Sequence, residues 1–167
     1  MIEYWSIDRR FGIRFPQVHL QQINDICYEA RGNETGGILI GEYTDQLSCA
    51  TVTHLLGPTT DSQSGRTWLI RGTKGLRKII GNYWKEKKQY YLGEWHFHPF
   101  ALPDPSRQDL MQMREIACSS TYKCPEPILI IAGGDPSKEL RLRVFVFPKG
   151  ELIELFDAST NLEPVEN

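Results

Sequence analysis

The sequence predicts an α/β (α+β) fold: a single domain with a mixed β-sheet flanked by helices. Three observations carry that prediction. Segments of helical periodicity alternate with short apolar runs of strand length. The apolar runs are bounded by glycine or proline, the usual punctuation of strands and turns. Finally, 167 residues at 19.2 kDa fit one domain of ordinary size, and a second would leave each half short. The expected domain covers residues 1–156, and DASTNLEPVEN (157–167) reads as a loose tail with nothing to pack.

Each element has its own justification. Leu20, Ile23, Ile26, Cys27 and Ala30 recur at helical spacing over Val18 to Ala30, with Pro16 near the start and Gly32 beyond the end. TGGILIGEY (Thr35 to Tyr43) reads as a buried strand opened by two glycines. Ser48 to Leu55 alternates loosely and pairs with it as a hairpin. GPTTDSQSGR (Gly57 to Arg66) is turn chemistry throughout and reads as a mobile loop. A short strand at Trp68 to Arg71 precedes a second amphipathic helix marked by Leu76, Ile79, Ile80, Tyr83 and Trp84. Aromatic-rich Tyr90 to His98 reads as a strand stopped by Pro99, and FALPDP (Phe100 to Pro105) as a proline-stiffened loop. A third helix from about Ser106 to Tyr122 turns Leu110, Met113, Ile116 and Ala117 inward. PILIIAGG (Pro127 to Gly134) reads as a central strand, Leu140 to Phe147 as an alternating one, and Leu152 to Phe156 as an edge strand.

Composition narrows the function classes. Nineteen Lys plus Arg against twenty-one Asp plus Glu give a net charge of −2, so no global basic field for nucleic acid exists. No apolar run is long enough to span a bilayer, and MIEYWSIDRR places acids and arginines where a signal peptide needs an apolar stretch. Cys27, Cys49, Cys118 and Cys124 form no C-x-x-C pair and read as reduced thiols of a cytoplasmic protein. The second helix carries Lys74, Arg77, Lys78, Lys85, Lys87 and Lys88 against Glu86 alone. Such a run reads as a solvated face, with docking of an acidic partner as the functional alternative.

The informative segment is GEWHFHPFALPDPSRQD (Gly93 to Asp109). His96 and His98 stand two apart in a strand, so both rings project from one face. Asp109 falls in the first turn of the next helix, where the stiff loop brings its carboxylate back towards the strand end. Two histidines and one aspartate suit a catalytic zinc that keeps a fourth position for water. The same ligand types serve mononuclear iron, and ligand identity alone does not separate the two. Ser106 and Asp109 taken by themselves form an S-x-x-D capping box, a common local device. The joint pattern H-x-H-x7-S-x-x-D is different, arising by chance about once in a million windows at average residue usage. A hydrolase also needs a base. Glu34, at the mouth of the strand that starts at Thr35, is one candidate, although its position alone is that of an exposed turn carboxylate. Glu94 is the rival, and its strand parity with both histidines suits a brace for a ligand.

Together these residues resemble the JAB/MPN metalloprotease family, whose JAMM signature is an upstream Glu followed by H-x-H-x7-S-x-x-D. Glu34, His96, His98, Ser106 and Asp109 keep every spacing, and the resemblance runs from about Glu34 to Phe147. It implies a JAB1/MPN-like fold, zinc (Zn2+) held by His96, His98 and Asp109, Glu34 as general base and Ser106 as oxyanion support. The implied reaction is hydrolysis after the C-terminal glycine of a ubiquitin-like protein. ETGGILIG and GEWHFHP look like the prokaryotic branch, in particular the deconjugating peptidases of CBASS anti-phage operons. There an E1/E2-like enzyme joins the C-terminus of a cGAS-like nucleotidyltransferase to its targets, and the peptidase reverses the linkage. Trimming of a ubiquitin-like sulfur carrier uses the same chemistry and remains an alternative, as does a non-enzymatic JAB scaffold. Phe97 departs from the Ser or Thr common between the histidines; its side chain is expected to pack on the opposite face.

Overall fold

Eight strands close into a barrel, with one helix packed against one face of the sheet and two helices against the other. The computed structural model describes residues 1–44 and 48–160. Among them the chain runs β1 (Ile2–Trp5), β2 (Gly12–Phe15), α1 (Val18–Glu29), β3 (Thr35–Tyr43), β4 (Cys49–Leu55), β5 (Gln63–Ser64), β6 (Leu69–Ile70) and α2 (Leu76–Lys87). It continues through β7 (Tyr90–Pro99), α3 (Arg107–Cys118), β8 (Ile128–Asp135), β9 (Glu139–Val146) and β10 (Ile153–Asp157). The closed sheet has the order β1-β10-β9-β8-β7-β3-β4-β2, and β5 and β6 form a separate two-stranded hairpin. β7–β8 and β2–β4 are parallel and the other ladders antiparallel, so the sheet is mixed as expected.

The two faces of the sheet sort the apolar residues into two clusters. Phe15, Leu39, Trp95, Phe97, Ile130 and Val144 meet Ile23 and Cys27 of α1 on one side. Ile38, Ile40, Leu129, Ile131 and Phe145 meet Leu76 of α2 and Met113 and Ile116 of α3 on the other. Strand alternation alone assigns these sides, since neighbours such as Ile130 and Ile131 point opposite ways. Phe97 is fully buried in the first cluster, opposite the histidines, as its parity requires.

Several expectations need correction. β1 and β2 escape sequence reading because IEYW and GIRF are four residues each and carry Glu3 and Arg14, too short and too charged to show a period. Their presence means that Leu152 to Phe156 is no edge: β10 pairs with β9 on one side and β1 on the other. The segment expected as a mobile loop is pinned. Gln63 and Ser64 pair with Ile70 and Leu69. Asp61 accepts the Thr73 and Lys74 amides at 3.1 Å, and Ser62 Oγ accepts the Gly72 amide at 2.9 Å. The same residue types that signal turns thus supply the side-chain acceptors that hold one. Residues 157–160, assigned to a loose tail, begin inside β10 and continue with the Ala158 amide on Glu3 O at 2.9 Å. The rest of that expected tail, residues 161–167, lies outside the described residues. α3 ends at Cys118 rather than Tyr122. All four cysteines are unpaired, and no helix among the described residues is long and apolar enough to cross a membrane.

Candidate active site

β7 lies between β3 and β8 and carries the first half of the site. From Gly93 onward its alternation is strict: Trp95 and Phe97 enter the α1-side cluster, leaving Glu94, His96 and His98 for the opposite face. Just before, a bulge against β3 pairs Leu39 with Gly93 and Ile40 with Tyr91, skipping Leu92. The extra residue turns Tyr91 to the face of Glu94, where its hydroxyl donates to Glu94 Oε1 at 3.2 Å. Gly93 itself has φ +150° and sits so close to β8 that a Cβ would meet Ile128 O at 1.9 Å. Gly36, opposite His96, serves a similar end on β3: a Cβ there would stand 2.3 Å from Trp95 O and 3.1 Å from the His96 ring.

α3 carries the second half. Ser106 is its N-cap: Ser106 Oγ accepts the Asp109 amide at 3.1 Å, and Asp109 Oδ2 accepts the Ser106 amide at 2.7 Å. Arg143 of β9 steadies the approach by pairing with Asp104 in the preceding loop and, at 2.8 Å, with Glu154 of β10. So held, the Asp109 carboxylate presents Oδ1 to His96 Nδ1 at 2.6 Å and Oδ2 to His98 Nε2 at 3.2 Å. All three residues are buried. Burial alone would raise the Asp109 carboxyl, but hydrogen bonds to His96 and His98 outweigh it and hold the group far below the usual range. Burial likewise works against a charged His96, yet its contacts with Asp109 and Glu94 raise the imidazole to about 9.

Glu34 immediately precedes β3. Because Thr35 pairs with Phe97, the next step of the register sets Glu34 across from His98, and its amide donates to Gly65 O in the β5–β6 turn at 2.8 Å. Its half-buried carboxyl is raised, first by burial; His98 and His96 oppose the shift and Asp109 adds to it. Ser106 Oγ spends a lone pair on its cap and keeps its proton for another acceptor. The fold thus places His96, His98 and Asp109 in direct contact, Ser106 on Asp109, and Glu34 within reach of their charge. Glu94, the rival base, is fully buried and touches His96 Nε2 at 3.1 Å, the position of a brace. Sequence reading missed Arg71 and Gln112, which both reach Glu94. Nothing local in the sequence signals either contact, since each joins separate elements.

The donor set suits a divalent cation such as zinc: two imidazoles and one carboxylate with an oxygen towards each ring. Two buried carboxylates, Glu94 and Asp109, flank His96 and demand positive charge there. Among the described residues these side chains pair with one another, and no three His, Cys, Asp or Glu side chains form an arranged metal group. Two open grooves are lined by chain neighbours of the cluster, Pro99 next to His98 in one and Gln108 next to Asp109 in the other. One of about 950 Å³ is lined by Arg31, Arg66, Thr67, Pro99 and Phe100; the other, about 820 Å³, lies between β6 and α3 along Ile70, Arg71, Gln108 and Gln112.

Residues 16–145 match the prokaryotic homologues of the JAB domain. A CD-NTase/cGAS isopeptidase of Enterobacter hormaechei subsp. hoffmannii is 44% identical over 132 residues, covering 79% of this chain and 73% of that protein. A protein of Sinorhizobium fredii named as a metalloprotease, y4qB, is 26% identical over 110 residues, 64% of this chain and 66% of its own. The solution structure of protein DSY2949 from Desulfitobacterium hafniense shares the fold, with a TM-score of 0.61 at 16% identity over 85% of this chain and 88% of that one. The family implies a metal. The chain belongs to the family of prokaryotic JAB-domain homologues, as a hydrolase of the isopeptidase kind.

Proposed function

We propose that this protein is a zinc metallo-isopeptidase that cleaves the bond after the C-terminal glycine of a conjugated partner. The partner is a cGAS-like nucleotidyltransferase (CD-NTase) or a ubiquitin-like protein, linked to its target by an E1/E2-like enzyme. The setting is bacterial anti-phage defence in the cytoplasm. The observation that carries the reading is the Asp109 carboxylate, aimed by its own helix cap at two imidazoles from β7, in a chain 44% identical to a named CD-NTase/cGAS isopeptidase.

His96, His98 and Asp109 would hold the zinc. When bound, it supplies Lewis acidity, polarising the scissile carbonyl and acidifying the attacking water. Glu34 accepts the water's proton as the oxygen adds to the carbonyl carbon, then returns it to the leaving amine as the C–N bond breaks. The Ser106 hydroxyl donates to the oxygen that gains charge in between. The products are a free glycine carboxylate and the amine of the target.

The closed barrel narrows how a tail is gripped. Closure removes every edge from the eight-stranded sheet, so among the described residues open strand edges remain only on β5–β6. An extended tail therefore adds to that hairpin, in the groove shared with α3. The Glu34 amide bonded to Gly65 ties this hairpin to the base.

The test is cleavage of purified conjugates, one ending in a CD-NTase tail and one in a ubiquitin-like sulfur carrier, with Glu34→Ala as control. Release from the CD-NTase conjugate, lost in the control, supports the proposal. Activity on the sulfur carrier alone replaces it with the processing role, and activity on neither, in a zinc-loaded protein, favours a scaffold.

A further inference from the structure

Glu94 lies at the centre of a buried polar network that hydrolysis as described above does not use. Its side chain is wholly excluded from solvent, on the strand of the two histidines. Oε1 accepts from the Tyr91 hydroxyl at 3.2 Å and lies 2.7 Å from Arg71 Nε. Oε2 accepts from Gln112 Nε2 at 2.9 Å and faces His96 Nε2 at 3.1 Å. The Arg71 side chain is only 7% exposed, and its Nε makes no aligned hydrogen bond, so its contact with Glu94 is one of charge. Arg71 Nη2 donates to Tyr122 beyond α3, and Nη1 to Gly72 O.

Such a network is costly to bury. A buried ion pair is often no more stabilising than apolar residues of the same volume, so stability does not account for it. Its geometry offers another account. His96 shows one nitrogen to Asp109 and the other to Glu94. A carboxylate that accepts the N–H of one ring nitrogen fixes the tautomer and the ring's orientation and leaves the other nitrogen's lone pair free for a metal.

We propose that Glu94 is the positioning residue of His96 and that Arg71 acts through Glu94, neutralising and locating its carboxylate. The proposal rests on the reading of His96 as a metal ligand. Arg71 directly follows β6 and lines the groove beside α3, so the same residue borders the tail groove and supports the ligand. Glu94 is a brace in this scheme and takes no proton from the attacking water.

The experiment measures zinc affinity by chelator competition in wild type, Glu94→Gln, Arg71→Met and the double variant. Cobalt-substituted absorption spectra and thermal stability are recorded on each. Glu94→Gln is expected to weaken zinc binding about 10- to 100-fold and to alter the cobalt spectrum. Arg71→Met is expected to move both in the same direction, and the double variant to bind zinc no more weakly than Glu94→Gln alone. Zinc affinity and cobalt spectrum unchanged in Glu94→Gln overturn the proposal, whatever happens to stability. Additive losses in the double variant overturn the assignment of Arg71. A wild type that takes up no zinc overturns the metal reading and this proposal with it, whereas zinc-loaded wild type with an indifferent Glu94→Gln overturns this proposal alone. Should Glu94→Gln fail to fold, Glu94→Asp keeps the charge but withdraws it from the ring, and is read the same way.

Discussion

α2 and α3 are both twelve residues long and both contribute to the same apolar cluster, yet they are built in opposite ways. α3 starts from its own side chains: the Ser106–Asp109 capping box closes its first turn, and the same Asp109 faces the histidines. α2 starts from outside itself. Its N-cap is Gly75 at φ +81° with no side-chain cap, and the preceding amides are held by Asp61 across the hairpin loop. Only Leu76 of α2 is buried, while Trp84 is 50% exposed beneath the Lys88 ammonium. The difference suits the metal-ligand role proposed for Asp109. A ligand set must be held to about half an ångström, and a turn closed by the proposed ligand itself achieves this locally.

The largest test of that contrast is Asp109. Asp109→Ala removes the aimed carboxylate and the half of the capping box that Oδ2 makes with the Ser106 amide, while the Ser106 Oγ bond to the residue 109 amide survives, so it is expected to abolish turnover and zinc binding and to cost less than about 1 kcal/mol through the cap. Asp109→Asn keeps an acceptor for the Ser106 amide and should recover most of the stability but not the zinc. Metal content beside thermal unfolding reads the two apart, and zinc fully retained in either variant would break the link between cap and site.

Next in size is Glu34→Gln, expected to lower kcat by about 10²- to 10⁴-fold while zinc content stays at the wild-type level. Steady-state kinetics beside metal analysis checks it. Ser106→Ala should cost about 1 kcal/mol as a lost cap and about 10²-fold in kcat as a lost oxyanion donor. Ser106→Gly sharpens the point, because glycine caps nearly as well and should restore stability without restoring rate.

On α2 the same kind of change should leave chemistry alone. Gly75→Ala places a Cβ at positive φ and is expected to cost about 1–2 kcal/mol with kcat unchanged. A fall in kcat would show that α2 positions the site after all. The smallest effect is a titration. The Thr59 hydroxyl, then the Thr73 and Lys74 amides, hold the Asp61 carboxyl down to about 2 from an ordinary 3.8. A depressed carboxyl adds stability above its unfolded pKa and loses it as pH falls through the folded one, so this restraint is complete above pH 3.8 and fades towards 2. The amide resonances of Thr73 and Lys74 should titrate together near pH 2; a midpoint near 3.8 would mean that the restraint is absent.

Much of this was legible in the sequence where a local rule spoke. β3 spans the expected residues, α1 stops one residue short, and the packing of Phe97 on the face opposite the histidines follows from strand parity. The Ser106–Asp109 spacing announces a cap, and a cap is what forms. Parity failed at Tyr91, where one extra residue in a bulge moves a hydroxyl to the other face. The loop from Gly57 to Arg66 failed differently: turn-forming residues cannot say whether their side chains will find water or the amides of residues ten and twelve positions on.

The sequence by itself determined which residues could form a site, because strand parity and a helix cap depend on neighbours a few positions away. Only the tertiary structure decided that the sheet closes, which joins Ile2–Trp5 to Ile153–Asp157 from opposite ends of the described chain. It also decided that Arg71, Tyr91 and Gln112 converge on Glu94. Such pairings join residues far apart in the chain, and their free energy comes from burying surfaces that exist only after the chain has folded. No local pattern records them.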